Sequence, residues 1–202
     1  MNTHLIVFAK APEPGLAKTR LIPALGANRA AALAERMLAH AVGAATAADL
    51  GQVELCASPN TSHPSLQRLG LRHGLALSDQ GEGDLGARMH RALTRTLRQY
   101  RRAILFGSDA PAIDAAMLQQ AAAALATHDA VFVPALDGGY ALVGLRRPVA
   151  SLFEGIAWST ASVMAQTRER ARAAGLTWAE LAAVADIDEP GDLVHLPSGW
   201  LP

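Results

Sequence analysis

Four short apolar runs, Leu5 to Ala9, Val53 to Ala57, Ala103 to Phe106 and Ala130 to Pro134, punctuate this chain, and the stretches between them carry apolar residues every three or four positions. Runs of four or five mostly apolar residues suit strands buried on both faces. Leu33, Met37, Leu38, Ala41, Val42 and Ala45 recur at helical spacing, as do Leu85, Met89, Ala92, Leu93, Leu97 and Tyr100, and later Met117, Leu118, Ala121 and Leu125. Strand and helix alternating in this order imply right-handed crossovers, so the expected fold is α/β: a three-layer α/β/α Rossmann-like sandwich around a mainly parallel sheet. One segment departs from the alternation. Val131 to Pro134, the turn residues Asp137-Gly138-Gly139, and Tyr140 to Leu145 read as two strands joined tightly, a small antiparallel excursion. Beyond it, Ser159 or Thr160 is placed to cap a helix through Val163, Met164 and Thr167 that Gly175 ends, and the segment from Asp186 to Leu196 reads as a short strand followed by a helical turn.

At 202 residues, without repeat or low-complexity linker, residues 1–202 are expected to form one domain with a large enough core to need no staple. Basic and acidic residues balance at 18 each, which leaves no global field to attract nucleic acid or an anionic membrane surface. Any anion binding must therefore be local. The single Cys56 has no internal disulfide partner, and its apolar neighbours Val53, Leu55 and Ala57 suggest a buried structural thiol. The apolar start from Leu5 to Phe8 is too short for a membrane span or a secretory core, so the cytoplasm is the expected compartment. Oligomeric state has no signature in the sequence.

In open α/β sheets ligands bind beyond the carboxyl ends of the strands, which directs attention to the loops after Ala9, Phe106 and Pro134. The first holds Lys10 and Lys18, the only two lysines of the chain, together with Arg20; Pro12 and Pro14 stiffen it and Gly15 allows a sharp bend. An ammonium, a forked guanidinium and backbone N–H groups in a shaped loop suit a diphosphate, although a solvated basic loop would look the same. The loop after Phe106 places Asp109 just before Pro111, either as an oxygen ligand for a hard divalent cation or as a turn residue. Asp186 and Asp188 point the same way along an extended segment, a repulsion that a shared metal or an arginine would relieve; Asp188 could equally cap the following turn, with Asp192 structural. Gly83, Asp84 and Gly86 enter a helix whose first N–H groups could read a base or sugar, with Asp84 as a plain N-cap the alternative. Asp137-Gly138-Gly139-Tyr140 is an ordinary hairpin turn or an acid and a phenol poised for an acceptor. The patterns H-E-x-x-H, G-x-S-x-G, C-x-x-C and the nucleotide P-loop are all missing, which removes the anchors of zinc hydrolase, serine hydrolase, dithiol redox and P-loop ATPase readings.

Taken in order, Phe8-Ala9-Lys10-Ala11-Pro12 with Pro14-Gly15, Lys18-Thr19-Arg20-Leu21, Gly81-x-Gly83-Asp84-Leu85-Gly86-x-Arg88-Met89, Gly107-Ser108-Asp109-x-Pro111, Asp137-Gly138-Gly139-Tyr140, Trp158-Ser159-Thr160 and Asp186-Ile187-Asp188 resemble the GT-A-fold glycosyltransferase-like proteins of the nucleotide-diphospho-sugar transferase superfamily. The branch most similar is that labelled radical-SAM/selenodomain-associated or arsenosugar-biosynthesis glycosyltransferases. The resemblance spans nearly the whole chain. It implies that Asp109, with Asp188 as second contact, binds Mg²⁺ or Mn²⁺, that Lys18 and Arg20 grip phosphates, and that Lys10, Pro12, Gly15, Gly83, Asp84 and Gly86 face the nucleotide. Gly138, Gly139, Tyr140, Trp158 and Ser159 would then meet the sugar or a small-molecule acceptor, with Asp137 a candidate for general base. The 2-phospho-lactate guanylyltransferases share a similar Lys-Thr/Ser-Arg-Leu entry, so nucleotidyl transfer from a nucleoside triphosphate to a phosphorylated acid is the rival reading, and a non-catalytic nucleotide-binding module a third. The chain departs from sugar-nucleotide pyrophosphorylases in lacking a G-x-G entry loop, and from many glycosyltransferases in having Asp109 alone where Asp-x-Asp is common.

Overall fold

A computed structural model describes residues 3–201. Strands β1 (Thr3–Lys10), β2 (Gly51–Ser58), β3 (Ala76–Asp79), β4 (Arg102–Gly107), β5 (Ala130–Pro134), β6 (Tyr140–Leu145) and β7 (Trp178–Glu180) form one sheet in the order β3-β2-β1-β4-β6-β5-β7. Every neighbouring pair is parallel except those that β6 makes with β4 and β5. The antiparallel strand expected from the Asp137 hairpin thus lies inside the sheet, inserted between β4 and β5. Strand order reverses at β1, whose neighbours are β2 on one side and β4 on the other. The loops leaving β1 and β4 diverge there, which opens a crevice.

Helices cover both faces, giving the expected three layers, with α1 (Ile22–Leu25) a single turn that leads into α2. Leu38, Ala41, Val42 and Ala45 of α2 (Ala27–Ala47), Leu66 of α3 (Pro64–His73) and Leu118 and Ala121 of α5 (Ala115–Ala124) pack with Leu5, Val7, Leu55, Ile104 and Phe106. Met89, Ala92 and Leu93 of α4 (Leu85–Leu97) and Met164 and Ala171 of α6 (Val163–Ala173) pack on Ile6, Cys56, Leu105, Phe132 and Val143 from the other side. The alternation of these strand residues between the two faces follows from the period of two in a strand. Cys56 is buried, and burial pushes its thiol above the ordinary range, as a structural cysteine requires. Among the described residues no helix is long and apolar enough to cross a membrane.

On the α4 face a closed polar cluster joins four elements. His4 Nε2 of β1 lies 3.3 Å from Glu54 Oε2 of β2, and Glu54 Oε1 accepts short hydrogen bonds from Ser78 of β3 and Arg95 of α4. Arg95 also donates to Ser78 Oγ at 3.1 Å.

Three elements differ in detail from their sequence expectation. α6 begins at Val163, and its first-turn donor Met164 N–H bonds the Gly138 carbonyl at 2.8 Å. The hairpin thereby supplies the cap expected of Ser159 or Thr160; Ser159 instead turns the chain at φ 63°, and Thr160 donates to the Ala157 carbonyl. The segment after Val184 is extended but pairs only where Val184 bridges Ala135, and the following 3-10 turn, Pro190–His195, is capped by Glu189 rather than Asp188. Asp192 accepts the N–H groups of Asp188 and Glu189 at 3.0 and 2.7 Å, the structural role open to it.

Candidate functional site

The crevice has two lobes that meet at Asp109, Asp188 and Arg20. Arg20 and Asp188 are each placed by an apolar anchor beside them. Leu21, on the short 3-10 turn Thr19–Leu21, and Ile187 are fully buried against Ala30, Leu33 and Met37 of α2. Burial of two such side chains contributes about 2 kcal/mol each and pins the basic loop and the acidic tail to the same helix. Ile187 N–H also donates to the Asp109 carbonyl at 2.9 Å, which stitches the tail to the loop after β4. Three segments distant in sequence therefore converge on one point.

At that point sits the Lys18 ammonium, 2.5 Å from Asp109 Oδ1 and 2.8 Å from Asp188 Oδ1. Its side chain is only 7% exposed, whereas those of Asp109 and Asp188 are 50% and 42% exposed. Burial works against the Lys18 charge, but Asp109 and then Asp188, by charge and hydrogen bond, outweigh it and hold the ammonium above its ordinary range. Lys18 adopts a left-handed backbone at φ 48°, sparsely populated for a side chain of this kind, and the flanking anchors impose it. Arg20 stands in the open, its guanidinium 3.7 Å from Glu189 Oε1.

The smaller lobe, about 200 Å³, is lined by Lys10, Lys18, Thr19, Arg20 and Ser108 beside the two acids. Three cationic side chains of the basic loop thus face one space. Pro12 and Gly15 do not line it; they shape the loop, with Gly15 at φ 84° within the turn in which Ala17 N–H bonds the Glu13 carbonyl. The larger lobe, about 330 Å³, runs from Asp109 and Asp188 past Asp137 and Asp186 to a wall that includes Tyr140, Trp158 and Ser159. Gly138 is the hinge of that wall. It lies at φ 93°, and a Cβ there would stand 2.2 Å from the Ala161 carbonyl oxygen, so only glycine lets the hairpin close onto the segment before α6. Asp137 Oδ1 accepts Gly139 N–H at 2.7 Å while the side chain as a whole is exposed.

Tyr140 directs its hydroxyl at the Met89 sulfur, 4.0 Å away, and burial raises the phenol well above its ordinary range, so what it gives the lobe is neutral ring surface. Trp158 meets it edge to face at 6.3 Å. Gly86 lies under this indole: a Cβ there would come within 2.8 Å of Trp158 Nε1 and 2.6 Å of the Phe153 carbonyl oxygen. Gly83, Asp84 and Gly86 line neither lobe. Asp84 caps α4 by accepting Ala87 N–H at 2.8 Å, and Gly86 makes room for Trp158.

One site feature carries no signal in the sequence. Gln80 reaches back to donate to the carbonyls of Ala9 and Cys56 at 2.9 and 3.3 Å, closing the sheet behind the basic loop. Asp186 is half-buried, and burial, reinforced by the charge of Asp137, pushes its carboxyl up to about 6. Among the described residues no group of three or more His, Cys, Asp or Glu side chains is arranged to hold a metal; the convergent pair is Asp109 and Asp188.

Residues 28–160 match the family model described as "Uncharacterized protein conserved in bacteria (DUF2064)". No curated protein matches the chain in sequence. Among solved structures, a Desulfovibrio desulfuricans G20 protein, provisionally described as a nucleotide-diphospho-sugar transferase, is 30% identical, with 99% of this chain and 90% of that one covered at a TM-score of 0.88. The 4-diphosphocytidyl-2C-methyl-D-erythritol synthase of Anaerococcus prevotii DSM 20548 is 9% identical over 96% of this chain and 94% of that one, with a TM-score of 0.63. Glucosyl-3-phosphoglycerate synthase of Mycobacterium tuberculosis, solved with Mn²⁺, uridine diphosphate and glucosyl-3-phosphoglycerate, is 11% identical over 96% of this chain and 75% of that one, with a TM-score of 0.58. The chain has the α/β fold of nucleotide-diphospho-sugar transferases.

Proposed function

The chain belongs to this DUF2064 family of bacterial proteins, and from that premise we propose that it is a glycosyltransferase, which binds a nucleotide diphosphate sugar across the two lobes with a divalent cation and transfers the sugar to a small acceptor. The observation that carries the reading is the convergence of Asp109 and Asp188 on one positive centre where a basic lobe meets an acidic one. Two carboxylate oxygens within 2.5 and 2.8 Å of one ammonium are arranged for a small hard cation. Mg²⁺ and Mn²⁺ suit such a pair, because hard divalent ions commonly take one or two carboxylates and complete their shell with phosphate oxygens and water. Asp109 and Asp188 would hold the ion, which supplies Lewis acidity to the departing diphosphate. A relative of the same fold holds Mn²⁺ and uridine diphosphate, which supports the reading.

The chain's own side chains then divide the work. Lys18 already lines the basic lobe, so its ammonium serves the phosphates once the two carboxylates are otherwise neutralised, and Arg20 adds a second fixed charge to stabilise the leaving group. Asp137 keeps Oδ2 available to take the proton of an acceptor hydroxyl in the larger lobe.

The test is a thermal-shift screen of UDP, GDP, CDP, their sugars and GTP, each with and without Mn²⁺ or Mg²⁺. A ligand at a hundredfold excess over its dissociation constant adds about 2.7 kcal/mol of apparent stability. Metal-dependent stabilisation by one nucleotide sugar is the expected result, and no shift with any nucleotide would remove the reading. A second reading has one observation in its favour: Lys10, Lys18 and Arg20 together carry enough charge for a triphosphate. Pyrophosphate release from GTP or CTP would make the protein a nucleotidyltransferase instead.

A further inference from the structure

We propose that the acceptor is an alcohol with an apolar body that carries no negative charge, so that phosphorylated and carboxylated acids are excluded from the larger lobe. The inference rests on the transferase reading and adds the class of molecule that receives the sugar. Phe8, Leu85, Met89, Tyr140, Trp158 and Val163 give this lobe apolar walls. At about 330 Å³ it lies at the small end of ligand cavities, so an acceptor that shares it with the donor must be compact. Tyr140 and Trp158 supply two aromatic surfaces, which favour an apolar or a cationic body alike.

Charge decides the rest. Asp109, Asp137, Asp186 and Asp188 all line the lobe, and Arg20 is the one Lys or Arg side chain among the described residues that faces it. That guanidinium is shared with the basic lobe, where the diphosphate must lie, and Glu189 stands beside it. A cation held by Asp109 and Asp188 neutralises those two acids and leaves Asp137 and Asp186 facing the acceptor. An anionic acceptor would leave water to meet two carboxylates with no basic partner of its own, and selection by such repulsion is as effective as selection by attraction. In the transfer itself the sugar carbon's bond to the diphosphate oxygen breaks, with the bonding pair leaving on the diphosphate. The acceptor oxygen forms the new bond to that carbon, and its proton passes to a carboxylate, for which Asp137 is placed.

Three fragments that share a phenyl ring and differ in charge test the class: 2-phenylethanol, protonated 2-phenylethylamine and 3-phenylpropionate, titrated against the full chain by NMR with the Trp158 indole resonance, identified by its loss in Trp158→Phe, as the reporter. The alcohol and the amine are expected to bind at least about tenfold more tightly than the carboxylate. In Asp137→Asn/Asp186→Asn the carboxylate should gain affinity relative to the alcohol until the gap closes. High salt should narrow the same gap in the unaltered protein, a reading independent of whether the double variant folds. Carboxylate binding as tight as that of the alcohol, a gap untouched by both the double variant and salt, or binding by none of the three overturns the class. Such a result with nucleotide-sugar binding intact overturns the acceptor class alone, whereas absence of all nucleotide binding in the thermal screen overturns the transferase reading on which it rests.

Discussion

Two clusters of buried charge in this molecule are inverted copies of each other. On the α4 face the buried member is an anion: Glu54, 7% exposed, enclosed by His4, Ser78 and Arg95. In the crevice it is a cation: Lys18, also 7% exposed, with Asp109 and Asp188 half in solvent. An enclosed carboxylate whose lone pairs are met by donors from neighbouring elements has none left for a ligand, so it joins β1, β2, β3 and α4. Half-exposed carboxylates around a buried ammonium keep lone pairs that face two open lobes. Which partner is buried, rather than the presence of an ion pair, separates a structural cluster from a binding one.

The largest effect that could break this contrast is on stability. Glu54→Ala leaves Arg95 and Ser78 without their acceptor inside the core, and since Arg95 is partly solvated the expected loss is about 3 kcal/mol, read from the urea midpoint. Asp109→Ala removes a half-exposed partner and should cost less than about 1 kcal/mol, yet abolish metal-dependent stabilisation by nucleotide. Equal destabilisation by the two, or retained nucleotide stabilisation in Asp109→Ala, would collapse the distinction.

Acid sharpens it. Burial alone would raise the Glu54 carboxyl, but hydrogen bonds from His4 and Ser78, with the Arg95 charge, hold it below its ordinary value of 4.5. A carboxyl whose folded value is depressed contributes stability above its unfolded value, and that stability is lost as pH falls through the folded one. The protein should therefore lose stability below about pH 4.5, and Glu54→Gln should flatten this acid limb while starting from a lower plateau. A limb of unchanged slope in that variant would place the acid sensitivity elsewhere.

Lys18→Met asks the same question of the crevice. Without the ammonium, Asp109 and Asp188 face each other unbalanced, and the chain alone should be less stable by about 1 kcal/mol, a figure kept small by their exposure. Mg²⁺ or Mn²⁺ alone should then raise the melting temperature more than in the unaltered protein, because the competitor for the two carboxylates is gone. A smaller metal shift in the variant would mean that Lys18 assists the ion instead of standing in for it.

The two clusters differ as much in how far the sequence reveals them. Asp109, Asp188, Lys18 and Arg20 fall in loops beyond recognisable strands, among prolines and glycines, and their chemistry stands out from the apolar runs around them. The Glu54 cluster does not, because it needs β3, whose Ala-Leu-Ser-Asp is too short and too polar to register as a buried strand, and without β3 nothing brings Ser78 to Glu54. The same limit hides β7, three residues on the sheet's edge, and α3, whose buried face is little more than Ser65, Leu66 and Gly70. The core strands and the helices α2, α4, α5 and α6 were legible because burial on one or two faces imposes a period. The glycine segment at Gly83 to Gly86 shows the converse: conspicuous residues whose local geometry is that of a cap and a close approach of Trp158.

The smallest expected effect concerns Arg20, the charge that neither cluster buries. Its contact with Glu189 is 3.7 Å long and both side chains are mostly exposed, so Arg20→Ala should change unfolding stability by no more than a few tenths of a kcal/mol. Its position between the lobes makes a different demand on binding, since it is the one guanidinium among the described residues that lines both. Affinity for a nucleoside diphosphate should fall about tenfold in Arg20→Ala and recover only in part in Arg20→Lys, because a point charge lacks the fork that meets two phosphate oxygens at once. Isothermal titration of UDP or GDP with Mn²⁺, whichever binds, measures both variants, and an unchanged dissociation constant in Arg20→Ala would assign phosphate recognition to Lys10 and Lys18 alone.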